Sequence, residues 1–383
     1  MPSRSSISGR IRAALFVVAL AMVVLLRLPS RGDAGASAAV SRADTASFAT
    51  LVSRLSEPGG FFDSDNLISN ETSYLHVLGQ MRTIGVSGGA YIGVGPDQNF
   101  SYMAQVRPKI AYLIDIRRDN LLQHLLYKAM FAAAPTRIEF LSLWVGRAAP
   151  KNAQEWKSRS IEQLVEYIDK TPADSVHATQ MRDALLGRAR SYGVPLDGAS
   201  MATITKILTE FSAEGLGIRF TSANRAPRPY YPTLRQLLLE KDLTGRQGSF
   251  LAREEDYAFL RDLEARDLVI PVIGDLSGSH AMAAIAKDVT ARGLHVSTFY
   301  TSNVEFYLYR EGTFERFVAN VRRLPHDAKS VVIRSYFGGG FGMALPQTQP
   351  GYYSTQLLQP LDRLVSGYDQ GAFATYQELV TKN

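Results

Sequence analysis

The stretch that decides the predicted fold of this chain is Gly88–Asp115, GGAYIGVGPDQNFSYMAQVRPKIAYLID. The apolar run Ala90–Ile92 predicts a buried strand, and it leads directly into a glycine turn. Helical spacing of apolar residues follows over Asn99–Arg107, and a proline ends it. A second apolar run, Ile110–Ile114, ends on Asp115. The stretch therefore predicts a strand, a glycine turn, a helix and a second strand.

The glycine turn and the acid after the second strand form a pattern that is typical of nucleotide-binding units. Asp115 comes 22 residues after Gly93. Glycines let the backbone approach a ligand, the helix N-terminus offers free N–H groups, and an acid about 20 residues on accepts bonds from ribose hydroxyls. Gly93, Gly95, Asp97 and Asp115 are thus candidate ligand-binding residues. The alternative is an ordinary strand–helix turn that needs glycine only for its backbone angles.

The first 36 residues predict a signal peptide or an uncleaved signal anchor. Arginines precede the apolar run Ala13–Leu26, which is short for a membrane span and typical of a signal-peptide core. Small residues at 34–39 favour cleavage near Ala36. Because the basic N-terminus stays in the cytoplasm, the domain that follows is expected outside it. We therefore expect an exported protein, periplasmic or membrane-anchored through this segment.

Charge and cysteine content exclude several classes of function. The formal net charge is +6, but five arginines and one aspartate fall in the first 36 residues, which leaves about +2 for the rest. No basic tract remains to indicate nucleic-acid binding. The absence of cysteine excludes disulfides, thiolate metal sites and cysteine catalysis. The six histidines show no metal-ligand spacing, and neither GxSxG nor GxxxxGK[ST] occurs, so we expect no metal, no hydrolase elbow and no P-loop.

The remaining elements predict an α/β fold with a parallel sheet. A third strand is predicted at Arg137–Val145, which is apolar on both faces. Residues 148–265 show mostly helical spacing and are too long for a loop. Further strands are predicted at residues 268–275, His295–Tyr300 and Ser330–Ser335, and a last helix at Gln356–Ser366.

These elements together predict a doubly wound, mainly parallel Rossmann-type sheet. Its two halves are residues 37–147 and residues 266–383. A large α-helical insertion, residues 148–265, separates strands three and four.

Polar residues follow the predicted fourth and fifth strands. Asp275 and Ser277 come after the fourth strand, and Asn303 and Glu305 after the fifth. Because the carboxyl ends of parallel strands meet at one edge, we expect these residues to join the glycine turn in one pocket. Asp275 and Glu305 are candidate bases. Capping of the helices that follow is the alternative for each of them.

Two further candidates precede the first strand. Asn70 and Glu71 come at the start of a predicted helix. A helix in this position commonly covers a cofactor pocket, so both are candidate wall residues. Helix capping explains them equally well.

The strand order, the turn Tyr91–Gly95 and the acid Asp115 resemble class I S-adenosylmethionine-dependent methyltransferases. The resemblance covers roughly residues 70–145 and 268–336. It implies S-adenosylmethionine as cofactor, with Gly93 and Gly95 facing its methionine part and Asp115 holding its ribose. The chain departs from the family at Tyr91, where an acid is usual, and after the third strand, where no acid follows. A clear seventh strand is also missing.

The chain also resembles a group of uncharacterised exported bacterial proteins, from which no activity carries over. Export conflicts with a cytoplasmic cofactor such as S-adenosylmethionine. Two functions therefore stay open: a methyltransferase-like protein with an unknown acceptor, and an exported non-catalytic binding protein that retains the fold. The expected partner is a small nucleoside ligand, with no nucleic acid and with membrane contact only through an uncleaved N-terminal segment.

Overall fold

The computed structural model describes residues 48–222, 228–338 and 344–382. The predicted signal segment, residues 1–36, lies outside these ranges, so it stays a prediction. Within the described ranges, no helix is both long enough and apolar enough to cross a membrane.

One six-stranded mixed sheet organises the described chain, which confirms the predicted α/β class. Four neighbouring strand pairs are parallel, and only the pair β5 and β6 is antiparallel. The spatial order is β3-β2-β1-β4-β5-β6. The strands are β1 (Ala90–Val94), β2 (Ile110–Asp115), β3 (Val269–Ile273), β4 (Val296–Ser302), β5 (Val331–Tyr336) and β6 (Thr355–Pro360).

The central strand β1 sets the edge at which a site can form. All five of its residues are buried, as expected for a parallel strand covered on both faces. Gly93 pairs with Leu113 of β2 on one side and with Tyr300 of β4 on the other. Because β3, β2, β1 and β4 run in the same direction, their carboxyl ends meet at one edge of the sheet.

Helices connect and cover the strands. Before β3 they are α1 (Leu78–Ile84), α2 (Gln98–Val106), α3 (Arg118–Ala133), α4 (Arg137–Trp144), α5 (Ile161–Lys170), α6 (Ser175–Ser191), α7 (Gly198–Glu214), α8 (Leu234–Leu239) and α9 (Glu254–Ala265). After β3 they are α10 (Ala281–Ala291), α11 (Val304–Arg310), α12 (Phe314–Val321), α13 (Leu361–Asp369) and α14 (Tyr376–Thr381). A further helical segment covers residues 48–55.

The predicted third strand is wrong, because residues Arg137–Trp144 form helix α4. Thr136 accepts a hydrogen bond from the backbone N–H of Glu139, and the Glu139 side chain accepts one from the Thr136 backbone. This capping box fixes the start of a helix. Helix α4 is buried almost all round, so it lacks the polar face by which spacing distinguishes a helix from a strand. The helical part of the chain that was predicted to follow a third strand therefore follows β2, without a strand in between.

The last predicted helix is also partly wrong. The segment from Gln356 to Gln359 belongs to β6, which pairs antiparallel with β5 at the edge of the sheet. Helix α13 begins at Leu361, directly after Pro360. Proline is tolerated at a strand end and at a helix start, so it marks the boundary between the two.

Candidate functional site

A cavity of about 950 Å³ opens at the carboxyl edge of the sheet. Its lining contains one predicted residue from each of four strand ends: Gly95 after β1, Asp115 at the end of β2, Asp275 after β3 and Asn303 after β4. The volume lies within the range of small-molecule sites, about 300–1,000 Å³. Four of the predicted strand-end residues thus line one cavity, whereas the other four, Gly93, Asp97, Ser277 and Glu305, are not in its described lining.

Gly93 is needed for internal packing, and it is not part of the described lining. A Cβ on Gly93 would lie 2.0 Å from Oδ1 of Asn99 and 2.7 Å from the ring of Tyr91. Gly95 does line the cavity, and its φ of +77° favours glycine. Of the two glycines, Gly95 is the one that a ligand can approach.

Asn99, the second residue of helix α2, holds the glycine turn together. Three consecutive carbonyls, those of Val94 (2.9 Å), Gly95 (3.1 Å) and Pro96 (2.8 Å), share the two N–H donors of its side-chain amide. Its Oδ1 accepts a 2.8 Å hydrogen bond from the hydroxyl of Tyr91. Tyr91, which stands where the family usually has an acid, thus forms one structural unit with Asn99.

Two titratable groups lie behind the turn. Burial raises the pKa of Asp97 to about 7, and its Oδ1 has no hydrogen-bond partner among the described residues. Burial lowers the pKa of His124 to about 4, and its Nε2 lies 2.9 Å from the Gly95 carbonyl oxygen. Neither residue is in the described lining of the cavity. The structure therefore places Asp97 beneath the predicted binding turn, not at its surface.

Asp115 shares its carboxylate with Arg117. Its Oδ1 accepts hydrogen bonds from the backbone N–H (2.9 Å) and Nε (3.1 Å) of Arg117, and its Oδ2 accepts one from a terminal nitrogen (2.9 Å). The other terminal nitrogen of Arg117 donates to the carbonyls of Ser64 and Asp65. A carboxylate has about four lone-pair sites, so Asp115 keeps room for a ligand hydroxyl.

The side chain of Asp275 forms hydrogen bonds within its own turn. Its Oδ1 accepts hydrogen bonds from the backbone N–H (2.8 Å) and the hydroxyl (3.0 Å) of Ser277. Ser277 is buried and outside the described lining. Glu57, which the sequence did not single out, accepts from the backbone N–H groups of Asp275, His280 and Ala281, at the start of α10. Asp275 lines the cavity, but its two bonds are those of a turn.

Glu305 belongs to a buried ion pair and not to the cavity. Its two oxygens accept hydrogen bonds from Arg334 at 2.7 and 3.1 Å, and both side chains are fully buried. Arg334 also donates to Gln359. The carboxylate therefore balances a buried guanidinium, and it is a poor candidate for a base.

Glu71 is a buried carboxylate in the cavity wall, and Asn70 lies beside it in the lining. Three neutral groups donate to Glu71: the hydroxyls of Tyr300 (2.6 Å) and Ser302, and the side-chain amide of Gln356 (2.8 Å). Both residues were predicted wall residues. The donors come from β4 and β6, so no local sequence pattern could indicate them.

The rest of the wall is rich in aromatic side chains. They come from the loop before α1, from the segment before α8, from α11 and from the C-terminal part of the chain. The aromatic lining residues are Phe61, Phe62, Phe220, Tyr231, Phe306, Tyr307, Tyr336, Phe337, Tyr353 and Tyr376. Such faces stack on planar rings and also attract cations.

No group of three or more histidines and carboxylates suited to a metal ion occurs in the described parts of the chain.

Comparison with known proteins gives one family. A family model described as "Domain of unknown function (DUF7790)" matches residues 67–367, which includes the sheet and most of the cavity wall. A comparison with curated proteins gives no match.

Proposed function

The chain belongs to this family of unknown function, and from its own site we propose that it binds a nucleoside-containing small molecule, with S-adenosylmethionine as the first candidate. One observation carries the proposal: Gly95, Asp115, Asp275 and Asn303, from four separate strand ends, line one cavity. In open α/β sheets, ligands bind outside the carboxyl ends of the strands.

The residues of the cavity suit such a ligand. Gly95 allows the backbone to approach it, and helix α2 begins three residues later at Gln98 with N–H groups that lack intrahelical partners. Asp115 supplies acceptor oxygens for ribose hydroxyls, and the aromatic wall supplies faces for a base. S-adenosylmethionine would add a methyl group for transfer.

We also propose the finer description of the fold, a doubly wound Rossmann-type sheet with a helical insertion. The order β3-β2-β1-β4-β5-β6 supports it, since it is the strand order of that fold. An antiparallel edge strand such as β6 is common on otherwise parallel sheets. Helices α3 to α9 between β2 and β3 would then contain the insertion.

A second candidate function is a binding protein without catalysis. The state of the two candidate bases favours it: Glu305 pairs with Arg334, and Asp275 bonds its own turn. Export, predicted from residues 1–36, would favour it as well. A reporter enzyme fused after residue 60 tests the location. If a reporter that works in the cytoplasm is active and one that works outside it is not, export is contradicted.

Calorimetry with S-adenosylmethionine and with its demethylated product tests the binding proposal. We expect saturable heat and a rise in Tm with at least one of them, because a ligand that binds the folded state stabilises it. No heat and no shift with either would refute it. Where binding is found, formation of the demethylated product with a panel of acceptors separates an enzyme from a binding protein.

A further inference from the structure

The hydrogen bonds around Glu71 leave one buried acceptor without a donor. A carboxylate only accepts, so the hydroxyl of Tyr300 must donate its single proton to Glu71. Tyr300 then accepts from its other neighbour, the Nε2 of Gln98 at 3.0 Å. This fixes the amide so that Oε1 of Gln98 points away from Tyr300. Within the described chain, that buried oxygen has no hydrogen-bond partner.

Gln98, which carries the unpaired oxygen, belongs to the wall of the cavity. Gln98 and Glu71 both line it, and they bond the same hydroxyl, so they are neighbours. The amide of Gln98 also lies over the glycine turn, 3.1 Å from the position that a Cβ on Gly95 would take. A buried acceptor without a donor destabilises the protein, and a donor from a ligand removes that cost.

The carboxylate of Glu71 adds a negative charge to this acceptor. Its partners Tyr300, Ser302 and Gln356 are neutral, and they occupy three of about four lone-pair sites. The remaining site is on Oε1, which has Ser302 as its partner. The nearby pair Asp115 and Arg117 is neutral as a unit and does not offset this charge.

Aromatic rings adjoin the same corner. The rings of Tyr376 and Phe306 lie 5.4 Å apart, those of Tyr376 and Tyr336 lie 6.2 Å apart, and all three residues line the cavity. The hydroxyl of Tyr376 lies 3.5 Å from the carbonyl oxygen of Ser335, and the side chain of Gln356 bonds both the Ser335 hydroxyl and Glu71, which connects Tyr376 to this corner. Aromatic faces beside a carboxylate attract a cation.

We propose that the ligand of this cavity carries a protonated amine, which Glu71 binds by charge and Gln98 by accepting an N–H donor. An alkylammonium supplies what the corner lacks, a positive charge together with several donors. The inference deepens the proposed nucleoside function, on which it rests for the identity of the whole ligand. The amine site itself depends only on Glu71, Gln98 and the aromatic wall.

The first test compares two nucleosides by calorimetry. S-adenosylhomocysteine carries an amino-acid end with an ammonium group, and 5′-methylthioadenosine has the same nucleoside and thioether without that end. In the wild type we expect the first to bind at least about tenfold more tightly, as a charge-assisted hydrogen bond contributes. In Glu71→Gln this advantage should shrink about tenfold, with the affinity for 5′-methylthioadenosine unchanged.

Two further variants complete this test. Gln98→Met keeps the length of the side chain and removes the amide, so it should weaken S-adenosylhomocysteine alone and serves if Glu71→Gln fails to fold. Glu315→Gln, at an exposed acid outside the described lining of the cavity, should leave both affinities unchanged. Equal losses for both nucleosides in Glu71→Gln and Gln98→Met, or no loss for either, would overturn the amine site while leaving nucleoside binding intact.

A second test needs no nucleoside. Phenethylammonium and 2-phenylethanol share shape and ring, and they differ in charge and donors. Ligand-observed NMR should show the ammonium bound in preference to the alcohol, and Glu71→Gln should abolish the preference. Binding of neither probe, or equal binding of both by the wild type, contradicts the inference. If the nucleosides do not bind and the ammonium does, the proposed function fails and the amine site stands.

Discussion

The guanidinium of Arg117 and the carboxylate of Asp115 form a 2.9 Å ion pair in the wall of the cavity. Because Arg117 also donates to the carbonyls of Ser64 and Asp65, the end of β2 is connected to the loop that carries Phe61 and Phe62. Asp115 therefore connects this loop to the sheet, and in the proposed function its oxygens would also accept hydrogen bonds from the ligand. A variant that separates these two roles must keep the size of the side chain.

Asp115→Asn should weaken binding of S-adenosylmethionine or its demethylated product at least about tenfold, since a charge-assisted hydrogen bond becomes a neutral one. The retained amide oxygen still accepts from Arg117, so the fold should persist. Calorimetry measures the affinity. Asp183→Asn, on the exposed face of α6, is the matched control. Unchanged affinity in Asp115→Asn would show that the ligand does not use this carboxylate.

Asn99→Gly should destabilise this protein. The change removes the two amide N–H donors that three carbonyls share, and it removes the acceptor of the Tyr91 hydroxyl. At about 1 kcal/mol per bond, the free energy of unfolding should fall by roughly 3 kcal/mol. Denaturant unfolding measures it. Val176→Gly, at the second residue of α6 as Asn99 is of α2, gives the backbone cost of glycine alone.

The unit from β1 to β2 could be predicted because its signals are local. Two buried apolar runs, a glycine turn and a proline fall within 28 residues, Gly88–Asp115. The convergence of Asp115, Asp275 and Asn303 was also predictable, since parallel strands bring their carboxyl ends together. Helix α4 was not predictable from spacing, because burial on nearly all sides removes the alternation on which spacing depends.

The hydrogen-bond donors around Glu71 depend on contacts that no local pattern contains. Tyr300 is 229 positions from Glu71, and Gln356 is 285 positions away. The position of each is fixed by the sheet order, in which β4 and β6 come from the far half of the chain. For the same reason Glu305, which sequence position placed near a pocket, lies against Arg334 of the neighbouring strand β5.

Glu305→Gln should destabilise the fold without changing ligand binding. The change leaves the fully buried guanidinium of Arg334 without its counter-charge, and breaking such a pair costs about 3–5 kcal/mol. Asp369→Asn, which breaks the exposed pair with Arg322, should cost less than about 1 kcal/mol. Thermal unfolding gives the stabilities. A folded Glu305→Gln protein with lost methyl transfer and intact binding would instead identify Glu305 as a base.

Asp97 should make the stability of the protein depend on pH. Burial raises its folded pKa from an ordinary value of 3.8 to about 7. Between these two values the folded state holds a proton that the unfolded state has lost, so the free energy of unfolding falls as pH rises. Below about pH 4 both states are protonated, and above about pH 7 the penalty is complete.

Asp97→Asn removes this titration, and the stability difference between variant and wild type should report it directly. Relative to the wild type, the variant should gain stability between pH 4 and pH 8, by up to about 4 kcal/mol. His124, whose pKa is lowered to about 4 by burial, changes stability with the opposite slope, but it titrates in both proteins and cancels in the difference. Denaturant unfolding at a series of pH values measures the gain. A difference that stays constant across this range would mean that Asp97 ionises as an ordinary carboxyl in the folded protein.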